Sequence, residues 1–191
     1  MSNLLVFATE MERDGVFPDG IPQGYDCLIS GVGILSTTLT LGKTFQNKKY
    51  DNAIQIGIAG AYTSSGLELG DLVEVISDCL VEFLPWEPNT YFSSGTLPKQ
   101  LDENIQERVK YAKGATVLRC ANTDDMDILR GKIAHIETME GAAFFAVCKE
   151  YGVQATQIRT ISNYTGTGER EEWKTEGALL KLKEFFIAIL G

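Results

Sequence analysis

Short apolar runs alternate with longer amphipathic stretches along this chain. Residues 4–8 (LLVFA) are apolar without a break and end at polar neighbours, which predicts a buried strand. Residues 25–30 (YDCLIS) predict a second strand, stopping at Gly31. Residues 34–46 read as a helix whose threonines lower its propensity. Residues 52–62 (NAIQIGIAGAY) read as a buried strand entering a glycine-rich turn. The alternating, β-branched stretch 69–83 predicts a long strand. Periodicity fades over 85–114, where Pro85, Pro88 and Pro98 stand among Gly and Ser, so loops are expected there with a helix near 101–111. Strands follow at 115–120, 132–138 and 153–163. Helices follow at 139–152, stopped by Gly152, and at 171–190, where Leu179, Leu182, Phe185, Phe186 and Ile189 recur mostly at helical spacing.

Strand–helix alternation of this kind predicts an α/β fold, a three-layer arrangement with a central mixed β-sheet flanked by helices. No internal repeat or long linker divides the chain, and 191 residues suit one domain spanning 1–191. In such folds the chemistry sits in loops at strand ends. The segments to weigh are therefore 9–13, 31–33, 57–61, 137–141 and 159–166.

Composition narrows the function classes. The net charge of −9 and the absence of a basic cluster argue against a nucleic-acid partner, because that binding rests on Lys and Arg neutralising phosphates. No apolar run approaches the ~20 residues that span a bilayer, and the N-terminal run is too short for a signal-peptide core. Cys27, Cys79, Cys120 and Cys148 are scattered, without a C-x-x-C pair, and read as buried reduced thiols in a cytoplasmic protein. His135, the single histidine, lies inside a predicted strand and reads as structural. With no spaced Cys/His/Asp cluster and no G-x-S-x-G elbow, neither a metal site, an organic cofactor nor a serine-hydrolase triad is expected.

The strand-end segments carry the remaining chemistry. Thr9-Glu10-Met11-Glu12 places carboxylates at the first strand's end, where a helix N-terminus would also favour them. Ser30-Gly31-Val32-Gly33 lets backbone N–H groups approach an anion or forms a plain tight turn. The small residues Gly57-Ile58-Ala59-Gly60-Ala61 let a ligand lie against backbone, and equally suit a tightly packed turn. Glu137-Thr138-Met139-Glu140-Gly141 sets two carboxylates and a thioether at a strand-to-helix junction; it suits a ribose diol and also a cap with Thr138 at its head. Arg159-Thr160-Ile161-Ser162-Asn163 ends the last strand with an amide that both donates and accepts, or that closes an Asx turn.

Taken in order, a glutamate four residues after Ala8, SGVG, GIAGA with LGDLVEVIS, ETMEGAA and RTISN resemble the purine nucleoside phosphorylase/nucleosidase family over nearly the whole chain. GIAGA, Asn163 and the tail NYTGTGEREEW are most similar to the futalosine-hydrolysing branch of that family. The chain departs from the pattern in a compact 85–130 region and in TVLRCANTDD (116–125), which matches the base-pocket region only loosely.

The resemblance implies an N-glycosyl hydrolase without cofactor, acting on a small-molecule nucleoside and assembled as a dimer or higher homo-oligomer. It implies Glu12 as general base on water and Asn163 at the purine N7 and 6-position. Glu140 would hold the ribose hydroxyls, Met139 would pack on the sugar, and Gly60 and Ser162 would line the substrate site. An adenosine-type nucleosidase, a phosphorylase and a non-catalytic nucleoside-binding protein are the competing expectations.

Overall fold

Apolar runs of the chain become strands that pair, some parallel and some antiparallel, around a closed circuit. The computed structural model describes residues 1–81, 90–94, 109–166 and 173–190. The strands are β1 (Asn3–Phe7), β2 (Tyr25–Ile29), β3 (Asn52–Ala61), β4 (Leu72–Leu80), β5 (Thr90–Phe92), β6 (Val109–Thr116), β7 (Ile136–Thr138) and β8 (Gln154–Tyr164). The helices are α1 (Glu10–Val16), α2 (Ile34–Asn47), α3 (Asp124–Gly131), α4 (Gly141–Tyr151) and α5 (Thr175–Leu190).

β3 pairs with β8, β8 with β4, β4 with β6, β6 with β7, and β7 back with β3. β1 and β2 extend this circuit beside β3, and β5 extends it beside β4. The sheet is mixed, as the sequence predicts, and helices cover both of its faces. On one face Leu41 and Phe45 of α2 and Phe144, Phe145 and Cys148 of α4 pack with Leu4, Val6 and Val73. On the other, Val16 of α1 and Leu179, Leu182 and Phe186 of α5 pack with Leu5, Phe7, Ile56 and Ile158. Fully burying one Val, Leu, Ile or Phe side chain in this way contributes roughly 1.5–3 kcal/mol.

Several boundaries differ from the sequence reading. The strand expected at 69–83 begins only at Leu72, because Glu68–Asp71 form a turn around Gly70 at φ 85°. Where the sequence predicts loops before residue 115, β5 and β6 stand; Lys110, Tyr111 and Lys113 face outward and hide the strand pattern of β6. The helix expected near 101–111 falls on strand residues from Val109 onward, and its remainder lies outside the described residues. The strand expected at 115–120 stops at Thr116, and the one expected at 132–138 is only Ile136–Thr138. His135 stands just before β7, where its Nδ1 accepts from the Lys113 N–H at 3.0 Å, a structural task. Helix α3, which the sequence reading does not predict, starts at the Thr123 cap with Asp124, Asp125 and Asp127 in its first turn. Cys79 and Cys148 are buried as expected; Cys27 and Cys120 are half-exposed. Among the described residues no helix is long and apolar enough to cross a membrane, and no cluster of three metal-ligating side chains occurs.

Candidate active site

At the carboxyl ends of β1, β3 and β8 lies a cavity of about 330 Å³. Glu12, Gly60, Met139, Glu140, Ser162 and Asn163 all line it. The structure thus brings all six residues singled out from the sequence to one place.

Glu12 arrives there because β1 leads into Thr9, which caps α1. The Thr9 hydroxyl accepts from the Glu12 N–H at 3.2 Å, and Glu12 reaches back to the Thr9 N–H at 3.1 Å, a capping box. Its Oε2 also accepts from the Thr9 hydroxyl, and its Oε1 accepts from the Ile58 N–H at 3.2 Å. Three donors occupy three of about four acceptor positions on a carboxylate, which leaves Oε1 one open position toward the cavity. The helix N-terminus reading of Glu12 is met, and the same geometry sets its side chain in the cavity wall.

Glu140 is the N-cap residue of α4, but its side chain makes no capping bond. The cap expected at Thr138 is confined to its hydroxyl, which accepts from the Gly141 N–H at 3.2 Å. The Glu140 carboxylate instead turns into the cavity. Its Oε1 accepts from the Gly33 N–H at 2.9 Å. Gly33 has φ 89°, so the SGVG turn does present a backbone donor to an anion, and that anion is the protein's own carboxylate. Glu140 is 5% exposed, and burial pushes its carboxyl above the usual carboxylate range. The Arg159 guanidinium and the Gly33 N–H pull it down, while the nearby Glu12 charge pushes it further up.

Arg159 has no role in the sequence reading, yet it is central here. It is 1% exposed on β8. Its Nε donates to Gln157 Oε1 at 2.9 Å, its Nη1 donates to the Ile58 carbonyl at 3.3 Å, and its Nη2 lies 3.7 Å from Glu140 Oε2. Nη2 has no hydrogen-bond partner among the described residues. Arg13, one residue beyond Glu12, binds Asp14 at 2.8 Å and does not line the cavity.

Asn163 and Ser162 sit where β8 bulges against β3, between Ala59 and Gly60. The Ser162 hydroxyl donates to Asn163 Oδ1 at 2.8 Å, and Asn163 Nδ2 donates to the Tyr164 carbonyl at 3.2 Å. That fixes the amide's polarity and leaves one N–H and one lone pair for a ligand. Gly60 is needed beside it: a β-carbon there would stand 3.1 Å from Asn163 Nδ2 and 2.9 Å from Thr165 Cγ2.

Behind Met139, Glu137 forms part of the wall. Both of its oxygens receive the Ala121 N–H, at 3.0 and 3.1 Å, and Arg130 Nη1 lies 3.3 Å from Oε2. Burial raises its carboxyl against these donors. This arrangement ties segment 117–121, including the cavity residues Val117 and Cys120, to β7. Trp173 and Thr175, leading into α5, close the far side.

The cavity thus offers three carboxylates, one buried guanidinium and one polarised amide on an apolar bed. It can hold a diol, accept a proton from water and meet a heterocycle edge.

The sequence model of the Phosphorylase superfamily matches residues 27–190. Futalosine hydrolase of Thermus thermophilus is 27% identical over 83% of this chain and 78% of its own. Futalosine hydrolase of Streptomyces coelicolor is 26% identical over 92% and 83%. Among solved structures, a futalosine hydrolase mutant of Helicobacter pylori superposes with a TM-score of 0.83 at 17% identity, covering 99% of this chain and 98% of that one. The 5′-methylthioadenosine/S-adenosylhomocysteine nucleosidase of Helicobacter pylori superposes at 0.85, also with 17% identity, over 99% and 97%. The structural likenesses establish the three-layer fold.

Proposed function

Because the chain belongs to the phosphorylase superfamily, we propose that it hydrolyses the N-glycosidic bond of a 6-oxopurine nucleoside, with futalosine as substrate. Hypoxanthine and dehypoxanthine futalosine would be the products, in menaquinone biosynthesis. The observation that carries this reading is the convergence of Glu12, Glu140 and Asn163 on one cavity, each with a free acceptor or donor position. The two relatives named futalosine hydrolase support the choice of substrate.

Cleavage of a C–N glycosidic bond passes through an oxocarbenium-like state, which needs nearby negative charge, a positioned water and a stabilised leaving group. Glu12 Oε1 accepts a proton from the attacking water. Glu140 receives the ribose 2′- and 3′-hydroxyls on the acceptor positions that Gly33 and Arg159 leave open, and its charge favours the cationic sugar. Met139 packs on the sugar, and Gly60 and Ser162 shape the bed. Asn163 donates its spare N–H to the 6-oxo group and accepts from a protonated N7. Arg159 Nη2 supplies the remaining donor beside Glu140.

Water is favoured over phosphate as the nucleophile. A phosphate entering here would face three carboxylates, and Arg159, the buried cation lining this cavity, lies against one of them, Glu140, at 3.7 Å. The adenosine-type nucleosidases are the second reading, favoured by the structural likeness, but Asn163 suits a 6-oxo edge better than a 6-amino one. A non-catalytic nucleoside-binding protein would have no use for an open acceptor on Glu12. The cytoplasm suits a small nucleoside substrate and cysteines that form no disulfide. Exposed Leu35 (78%) and Leu39 (72%), one turn apart on α2 beside the cavity residue Val32, suit contact with a second copy in a homo-oligomer.

The deciding experiment measures base released from futalosine, inosine and methylthioadenosine, with and without phosphate. Phosphate-independent release of hypoxanthine, fastest from futalosine, is expected. Preference for methylthioadenosine, phosphate dependence, or tight binding without release would each overturn the reading.

A further inference from the structure

We propose that Asp78 is a positioning residue for this site: through Gln157 and Thr116 it fixes both the Arg159 guanidinium and the start of α4 that carries Glu140. The proposal rests on the nucleosidase reading above and adds to it a residue that touches no substrate.

Asp78 lies on β4, 1% exposed. Its two oxygens serve two arms. Oδ1 accepts from the Thr116 hydroxyl at 2.7 Å, and that hydroxyl accepts from the Ala142 N–H, in the first turn of α4, at 2.7 Å. Oδ2 accepts from Gln157 Nε2 at 3.4 Å, and Gln157 Oε1 accepts from Arg159 Nε at 2.9 Å. The arms meet again where Arg159 Nη2 faces Glu140 Oε2. The chain has left room for this carboxylate, since a β-carbon at Gly114 or at Gly141 would overlap Asp78 Oδ2.

Direction is the point of the arrangement. A carboxylate only accepts, so Gln157 must present its NH₂ to Asp78 and its carbonyl to Arg159. Were Asp78 a donor, the Gln157 amide would turn over and set N–H against N–H at Arg159. The groups facing Asp78 are Thr116 of β6, Gln157 and Arg159 of β8, Glu140 at the head of α4, and Tyr62 beyond β3. Burial pushes its carboxyl up to about 6, and Thr116, Gln157 and Arg159 oppose that rise. Its two oxygens accept from Thr116 and Gln157, the hydrogen-bond pattern of a carboxylate.

The test swaps the polarity of the pair. With the Thr116 hydroxyl, held by the Ala142 N–H, still donating to the remaining oxygen, Asp78→Asn turns an NH₂ to Gln157 and so turns the Gln157 amide; it is expected to lower kcat/KM by about 30-fold, within the range that small misplacements of catalytic groups produce. Adding Gln157→Glu restores an acceptor for Arg159. In that double variant the amide introduced at position 78 donates to the carboxylate introduced at position 157 and still accepts from Thr116. Its kcat/KM should return to within about threefold of the parent. A folded single variant with parental activity overturns the proposal, and so does a double variant no faster than the single one. If the single variant does not fold, a folded double variant decides alone, parental activity supporting the proposal and a 30-fold loss sinking it. Gln157→Met, which cuts only the arm to Arg159, should lose activity as Asp78→Asn does, and full activity there also overturns it. A parent that releases base from no nucleoside defeats the functional reading instead. The same variants are then compared for inosine affinity by calorimetry, where loss in the single and recovery in the double supports the positioning role and uniform affinity refutes it.

Discussion

Gly57 and Glu12 are in contact across the β3–α1 junction: a β-carbon at Gly57 would stand 2.5 Å from Glu12 Oε1 and equally 2.5 Å from Arg159 Nη1. The glycine therefore holds open the point at which base and cation converge. Gly57→Ala must displace one of them. Overpacking of this sort costs about 1–3 kcal/mol, so the melting temperature should fall by a few degrees. Base release should fall far more, because one of the two crowded atoms, Glu12 Oε1, is the one that takes the proton from water. A variant that melts lower but turns over at the parental rate would separate this contact from catalysis.

Glu12→Gln keeps the shape of the cavity but replaces one acceptor oxygen with a donor, in front of either the Thr9 or the Ile58 N–H group. Nucleoside binding should persist while kcat drops by about 10²–10⁴-fold, the usual worth of a general base. Single-turnover base release, read beside nucleoside affinity, checks both halves. Turnover that survives nearly intact removes Glu12 as the base.

How much of this can be seen in the sequence follows from how local each signal is. Glu12, Glu140 and Asn163 are legible because each sits just past a strand or at its end, inside a motif whose neighbours shape it: Thr9 caps for Glu12, and Ser162 orients Asn163. Arg159 and Asp78 are not. Each sits within a strand, and their partners are distant in sequence, as in Asp78 with Gln157 or Arg159 with Ile58. Their only local trace is a charged residue inside a stretch that reads as strand, in DLVEVISDCL and TQIRTIS. The closed circuit of strands is hidden for a related reason. It depends on β6, whose alternating lysines and tyrosine read as loop, and on β7, three residues long. Helix α3 does carry a signal in Thr123 followed by three aspartates within four residues, a cap and first turn that periodicity alone passes over.

Asn163→Asp tests substrate choice. In this variant the Ser162 hydroxyl still has an acceptor, but no N–H remains to meet a 6-oxo group. An unpaired buried polar group costs roughly 1–3 kcal/mol. The ratio of kcat/KM for inosine over methylthioadenosine should therefore fall by about 10–100-fold. An unchanged ratio would place base selection elsewhere in the cavity wall.

Asp78 also makes a prediction about stability, opposite in sign to that for most acidic groups. Its carboxyl is raised in the folded protein from an ordinary value near 3.8 to about 6, chiefly by burial. Between those values the folded state holds a proton that the unfolded chain has released, so stability contributed by this group is greatest in acid and is lost as pH rises through about 6. Glu140 and Glu137, also raised by burial, act in the same direction. Asp78→Asn removes the charge and with it this contribution to the slope. The difference in melting temperature, variant minus parent, should be more positive at pH 8 than at pH 5, even though the variant is the slower enzyme at both. Melting curves of the two proteins across that range provide the check. A difference that is flat with pH, or that runs the other way, would mean that the Asp78 carboxyl titrates in its ordinary range and is not desolvated as its burial implies.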